Sequence, residues 1–171
     1  MRRDQTLLLT KVISCVVAAG VLLYLPILID ESDDPEPGLL FLCTHLDYRP
    51  PDEERMNSAL AINELIKQRS EPAIIAGDFN ATPESRVIRE FAKEWKIVGA
   101  GGEGKAEGRR SDATGSAEGS LLTFPSEKPD RQIDYIMCRP ANRWEVVEVR
   151  VLDEPVASDH RPLLAVLRLK P

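Results

Sequence analysis

Ala76-Gly77-Asp78-Phe79-Asn80-Ala81-Thr82-Pro83 puts a carboxylate and an amide two positions apart at the end of an apolar run, with glycine before and proline after. Polar side chains interrupt apolar runs in three other places. His45 lies in "LCTHL", Asp134 in "QIDYIMC", and Asp159 and His160 in "VASDHRPLLAVL". His45 and His160 are the only histidines in the chain. Carboxylates, amides and imidazoles move protons and fix hydrogen bonds. Each position also has a local structural account. Gly, Asp, Asn and Pro punctuate turns, and Asp or Asn caps helices. Asp134 is the hardest to explain that way, because a carboxylate among apolar residues needs a donor such as His or Arg. Ser158-Asp159-His160 is no serine-protease relay, since consecutive residues cannot supply its geometry.

The elements that must position these groups follow from periodicity. The apolar run "GLLFLCTHL" reads as a buried strand with His45 at its end. Pro50-Pro51-Asp52 opens a helix through about Arg69, with Asp52 as N-cap and Met56, Ala59, Leu60 and Ile66 at near-helical spacing. "PAIIAGD" is the next strand and delivers Asp78. A second amphipathic helix is expected from Glu84 to about Trp95. The glycine-rich stretch 99–120 reads as a surface loop and has no phosphate-cradling pattern. Strands are expected again at 121–124, 133–139, 144–152 and 163–169.

The chain has 171 residues and a formal net charge of -6. That balance disfavours non-specific binding to duplex nucleic acid, which needs lysine and arginine against phosphates. A polyanionic substrate stays possible when divalent cations supply local positive charge. Cys15, Cys43 and Cys138 match no zinc or redox spacing and read as small buried hydrophobes, with a Cys43–Cys138 disulfide left open.

The N-terminus differs in kind. Met1-Arg2-Arg3 and Lys11 are basic, and no charged side chain occurs from Val12 to Ile29. As a helix that segment is about 27 Å long, near the ~30 Å hydrocarbon core of a bilayer. The acidic linker 31–38 follows. The expectation is a hydrophobic helix in segment 1–30, acting as a signal-anchor or a cleaved signal. The domain 39–171 would then be membrane-anchored and extracytoplasmic, or secreted. A core helix or strand of the domain is the third reading, and Pro26 weakens a regular helix.

Taken together, "THLDYRP", "AGDFNATP", "LLTFPSEKPDRQIDYI" and "ASDHRPLLAVL" resemble, in order and spacing, the endonuclease/exonuclease/phosphatase family of metal-dependent phosphoesterases. The resemblance covers about Leu39 to Leu169. It implies an α+β fold, a DNase-like β-sandwich with flanking helices in four αββα layers. It also implies Mg²⁺ or Mn²⁺ and a phosphate-ester substrate: nucleic acid, phospholipid head group or inositol phosphate. By the resemblance, Asp78 orients or deprotonates the attacking water beside the metal, and Asn80 bonds the phosphate or that water. Asp159 is a metal-side carboxylate. His160 binds the scissile phosphate or transfers a proton, and Asp134 orients it. His45 donates a proton to the leaving oxygen. Thr123 and Phe124 match a substrate-side Thr-aromatic motif.

The resemblance is to the second half of the family fold only. The first half normally brings an Asn and the principal metal-binding Glu. Glu31 and Glu36 do not match that motif, and Gln132 stands where Arg is common, with Arg131 one position earlier. Three expectations follow. The inner face of the sheet is uncovered, metal affinity is reduced, and a partner chain or homodimer completes the sandwich. A truncated, inactive remnant or a phosphate-ester-binding module is the alternative.

Overall fold

β2 (Leu39–His45) and β3 (Ala73–Asp78) are buried almost without interruption, as in strands covered on both faces. Successive side chains point to opposite faces, so each strand feeds two separate cores. The computed structural model describes residues 23–27, 38–102 and 121–170. The remaining elements are β1 (Leu23–Ile27), α1 (Glu53–Lys67), α2 (Arg86–Phe91), β4 (Lys96–Ile97), β5 (Asp134–Arg139), β6 (Trp144–Val151) and β7 (Leu163–Leu169). One sheet has five strands in the order β1-β2-β3-β5-β4; β6 and β7 form a second sheet of two. β2 and β3 are parallel, with α1 as the crossover between them, and β5 runs antiparallel to β3.

One face of the large sheet packs under the helices. Leu40, Leu42, Ile75 and Met137 meet Ala59, Ile62 and Ile66 of α1 and Val87, Ile88 and Phe91 of α2. The opposite face, expected to be bare, is covered. Leu39, Phe41, Ile74, Ala76 and Ile136 are buried against Trp144, Val149, Leu163, Ala165 and Leu167. The last two strands fold back over it, so a helix layer, a sheet and a smaller sheet stack in that order.

Several expectations change. The hydrophobic N-terminal helix is not what residues 23–27 form: they pair antiparallel with β2 as an edge strand. Pro26, which disfavours a helix there, is tolerated on an edge strand because the missing N–H need not enter a ladder. The rest of that segment lies outside the described residues. Among the described residues no helix is long and apolar enough to cross a membrane.

α2 is shorter than expected. Ser85 caps it by accepting from the Ile88 N–H at 3.2 Å. The buried Asn63 side chain donates to the Glu90 carbonyl near its end and accepts from Trp95 Nε1. Asp52 sits at the N-cap position of α1 without capping it, because its carboxylate is engaged by Arg86 at 2.6 Å. Of the expected strand 121–124, one bridge remains, Phe124 opposite Arg131. No disulfide joins Cys43 and Cys138. β3 lies between their strands, which separates them by about 10 Å, beyond the ~7 Å Cα limit for a disulfide.

Candidate active site

Strand register assembles the site. His45 at the end of β2 is paired with Asp78 at the end of β3, and Asp78 is paired with Asp134 at the start of β5. Three polar residues thus form one row across three neighbouring strands. Gly77 makes the close approach possible. Its φ is 150°, and a Cβ there would lie 1.8 Å from the Thr44 carbonyl oxygen. Beyond Asp78 the chain turns at Asn80, whose φ of 47° is in the left-handed region that Asn tolerates. The Asn80 N–H donates to Asp78 Oδ1 at 2.7 Å, and its Nδ2 donates to the Leu46 carbonyl at 2.8 Å. Asn80 therefore ties the loop after β3 to the loop after β2. The Tyr135 hydroxyl, donating to the Ala81 carbonyl at 2.9 Å, holds the same turn from below.

His160 reaches the row from the segment before β7. Its Nδ1 lies 2.8 Å from Asp134 Oδ2, and its Nε2 lies 3.9 Å from Asp78 Oδ2. His45 Nε2 is 3.5 Å from the same Asp78 oxygen. One carboxylate thus faces two imidazoles, while a second carboxylate fixes one of them. The Asp134 bond raises the basicity of His160 above that of an ordinary imidazole; partial burial opposes it, and the charges of Asp134, Asp78 and Asp159 add to it. Burial lifts the Asp78 carboxyl above the usual carboxylate range. The Asn80 N–H pulls it back, and the neighbouring Asp134 charge adds to the lift.

Thr123 departs from the substrate-side position expected for it. It is fully buried, and its hydroxyl donates to Asp134 Oδ2 at 2.5 Å. It reaches the site through Asp134. Phe124 is half-buried, with its ring 4.7 Å from the His160 ring. Asp159 is exposed; its carboxylate accepts from the Ser158 hydroxyl at 3.3 Å. Asp78, Asp134 and His160 each bring a ligand atom within 4.8 Å of the others, and Asp159 stands outside that group. The oxygens of Asp78 and Asp134 are hard donors of the kind Mg²⁺ or Mn²⁺ selects, so this chain's residues fit such an ion. Asp134 Oδ2 already accepts two hydrogen bonds. That leaves Asp78 Oδ2 and Asp134 Oδ1 as the oxygens best able to ligate.

Other groups at the site escaped the sequence reading. The Arg161 N–H donates to the Thr123 carbonyl at 2.7 Å, and its Nε to the Ser126 carbonyl at 2.6 Å. The Ser126 N–H donates to the Asp159 carbonyl at 2.7 Å. These bonds lash the 158–161 segment to the 123–126 segment. Arg55 of α1 donates to the carbonyls of Asp47 and Arg49 at 2.7 and 2.9 Å, fixing the loop after His45. In that loop the Arg49 guanidinium holds the Asp47 carboxyl down at about 2. The sequence signal for Arg161 was its place directly after His160; Arg55, on an amphipathic helix, gave none.

A model of the "Endonuclease/Exonuclease/phosphatase family" matches residues 10–160. The chain belongs to this family. Solved structures agree on the fold. A family protein from Bacteroides thetaiotaomicron has a TM-score of 0.60 at 22% identity, over 81% of this chain and 53% of its own. One from Bacteroides vulgatus has a TM-score of 0.54 at 27% identity, over 78% of this chain and 51% of its own. The mannosyl-6-phosphatase of Bacteroides thetaiotaomicron has a TM-score of 0.56 at 22% identity, over 76% and 51%. No curated protein matches the chain. The chain spans about half the length of the solved structures it resembles.

Proposed function

We propose that this chain is a divalent-metal-dependent phosphoesterase, cleaving phosphodiesters or phosphomonoesters with Asp78, Asn80, Asp134, His160 and His45. The observation that carries the reading is the row His45–Asp78–Asp134, closed by His160 at 2.8 Å from Asp134 and 3.9 Å from Asp78. Mg²⁺ or Mn²⁺, when bound through Asp78 with Asp134 or Asp159, would neutralise charge on the phosphoryl oxygens. Asp78 accepts a proton from the attacking water, a task suited to a carboxylate whose basicity burial has raised. Asp134 keeps the proton on His160 Nδ1, which leaves Nε2 to face the phosphate. His45, the more exposed imidazole, donates to the leaving oxygen. Asn80 has one Nδ2 hydrogen and its Oδ1 left for water or phosphate.

The substrate is a phosphate ester. Nucleic acid, phospholipid head groups and inositol phosphates fit the site chemistry, and the resemblance to a mannosyl-6-phosphatase adds phosphorylated sugars. The half-length match favours two companion readings. In one, a partner chain or a second copy completes the sandwich and supplies further metal ligands. In the other, the chain binds phosphate esters without turnover. Purified full-length chain is assayed with bis-p-nitrophenyl phosphate and p-nitrophenyl phosphate, with Mg²⁺, Mn²⁺ or EDTA. Metal-dependent hydrolysis that Asp78→Ala abolishes is the expected result. Calorimetric binding of inorganic phosphate with no hydrolysis would move the reading to the binding module.

A further inference from the structure

We infer that Phe124 is a positioning residue that fixes the ring plane of His160, and that Arg131 braces Phe124. The inference rests on the phosphoesterase reading for its kinetic consequence, but not for its structural one. Among the described residues His160 has one ring hydrogen bond, Nδ1 to Asp134 at 2.8 Å. Such a bond fixes one atom and leaves the ring free to rock about the Nδ1···Oδ2 axis. Rocking would swing Nε2 away from Asp78, which it now faces at 3.9 Å. The Phe124 ring blocks that motion, at 4.7 Å between centroids and tilted by 56°. The Arg131 guanidinium lies over the Phe124 ring, 4.6 Å from its centroid. The Phe124 ring thus has an electrostatic partner in Arg131 and a ring contact with His160.

The backbone holds these two contacts in place. Arg131 N–H donates to the Phe124 carbonyl at 2.9 Å and Phe124 N–H to the Arg131 carbonyl at 3.1 Å. The same bridge places both side chains on one stretch of surface. Thr123, directly before Phe124, is bonded to Asp134 through its hydroxyl and to the Arg161 N–H through its carbonyl. The carboxylate that orients the imidazole and the ring that flattens its motion are therefore tied together through Thr123. Thr123 thus supports the histidine through Asp134, and Phe124 supports it through the ring.

The test compares full-length wild type with Phe124→Leu, Phe124→Tyr and Arg131→Gln. With only two histidines, ring resonances are assigned by labelling histidine and deleting His45 in a separate sample. In the wild type the His160 ring protons carry a ring-current displacement from Phe124. Phe124→Leu removes it and lowers kcat about 10-fold to 100-fold, as small misplacements of reacting groups do, with KM within twofold. Phe124→Tyr restores both. Unchanged His160 resonances in Phe124→Leu would overturn the inference, and so would a raised KM with intact kcat, which marks a substrate contact. If Phe124→Leu does not fold, Arg131→Gln decides: a shifted His160 signal supports the brace, and an unmoved one refutes it. Absence of turnover in the wild type would refute the phosphoesterase reading alone, because the resonance comparison needs no substrate.

Discussion

Asp78 carries a charge that folding disfavours, and this sets up a conflict between stability and chemistry. Burial is the leading cause of its raised proton affinity, so neutralising it relieves a cost. Asp78→Asn is expected to lose metal-dependent hydrolysis while melting no lower than wild type at pH 7, a combination typical of residues kept for function. A lower melting temperature in a thermal scan would show that the carboxylate is structural. His160 gives the opposite sign. Its proton affinity is raised, led by the Asp134 bond, so the folded state favours its cation. That stabilisation is fully present below the unfolded imidazole value of about 6.5 and is lost as pH rises through the higher folded value. Asp134→Asn removes the leading cause. Titration of the His160 ring by NMR should then give a lower midpoint than wild type, and urea melts should lose part of their pH dependence across that window. An unmoved midpoint would mean that Asp134 does not govern the imidazole.

At the scale of elements, the pinch between β2 and β3 is the sharpest demand in the fold. A Cβ on Gly77 would overlap the Thr44 carbonyl oxygen at 1.8 Å, and the clash is with backbone, which cannot swing aside. Gly77→Ala is therefore expected to cost more than about 3 kcal/mol by denaturant unfolding and to weaken hydrolysis with it. A loss below about 1 kcal/mol (the centre of the range for point mutants in general) would mean the strands can part at little expense.

Much of this element layout was legible beforehand. β7 runs from Leu163 to Leu169, as expected, and β3 ends on Asp78. Apolar runs closed by a single polar residue are strong signals because strand periodicity and burial agree there. The candidate site residues stood out as motifs for the same reason, since they sit where an apolar run starts or stops. What stayed hidden depends on distant partners. The end of α2 coincides with Asn63 taking the Glu90 carbonyl from 27 positions away. Arg86 takes Asp52 out of its capping role from 34 positions away. Residues 23–27 sit in a long apolar run whose length suits a helix; Pro26 argues against one, and pairing with β2 decides.

For the whole molecule, the two-stranded sheet is the piece that lets the large sheet exist with both faces dry. Trp144 is 1% exposed and Leu167 equally so, both against the face that carries Phe41 and Ile74. Trp144→Ala is expected to destabilise the chain by about 3–5 kcal/mol and to increase binding of a hydrophobic dye before the main unfolding transition. A stability loss under 1 kcal/mol would show that another surface shields that face. The buried Trp144 also donates its indole N–H to the Arg139 carbonyl at 2.8 Å, so the cover is bonded to the large sheet as well as packed on it.

The row of His45, Asp78 and Asp134 has one more consequence. Because these groups are neighbours only in a single alignment of three strands, sliding any strand by one position turns its member of the trio to the reverse side. On the phosphoesterase reading, a misaligned molecule would be inert and not merely a weaker catalyst, so turnover per molecule would double as a count of chains that folded true.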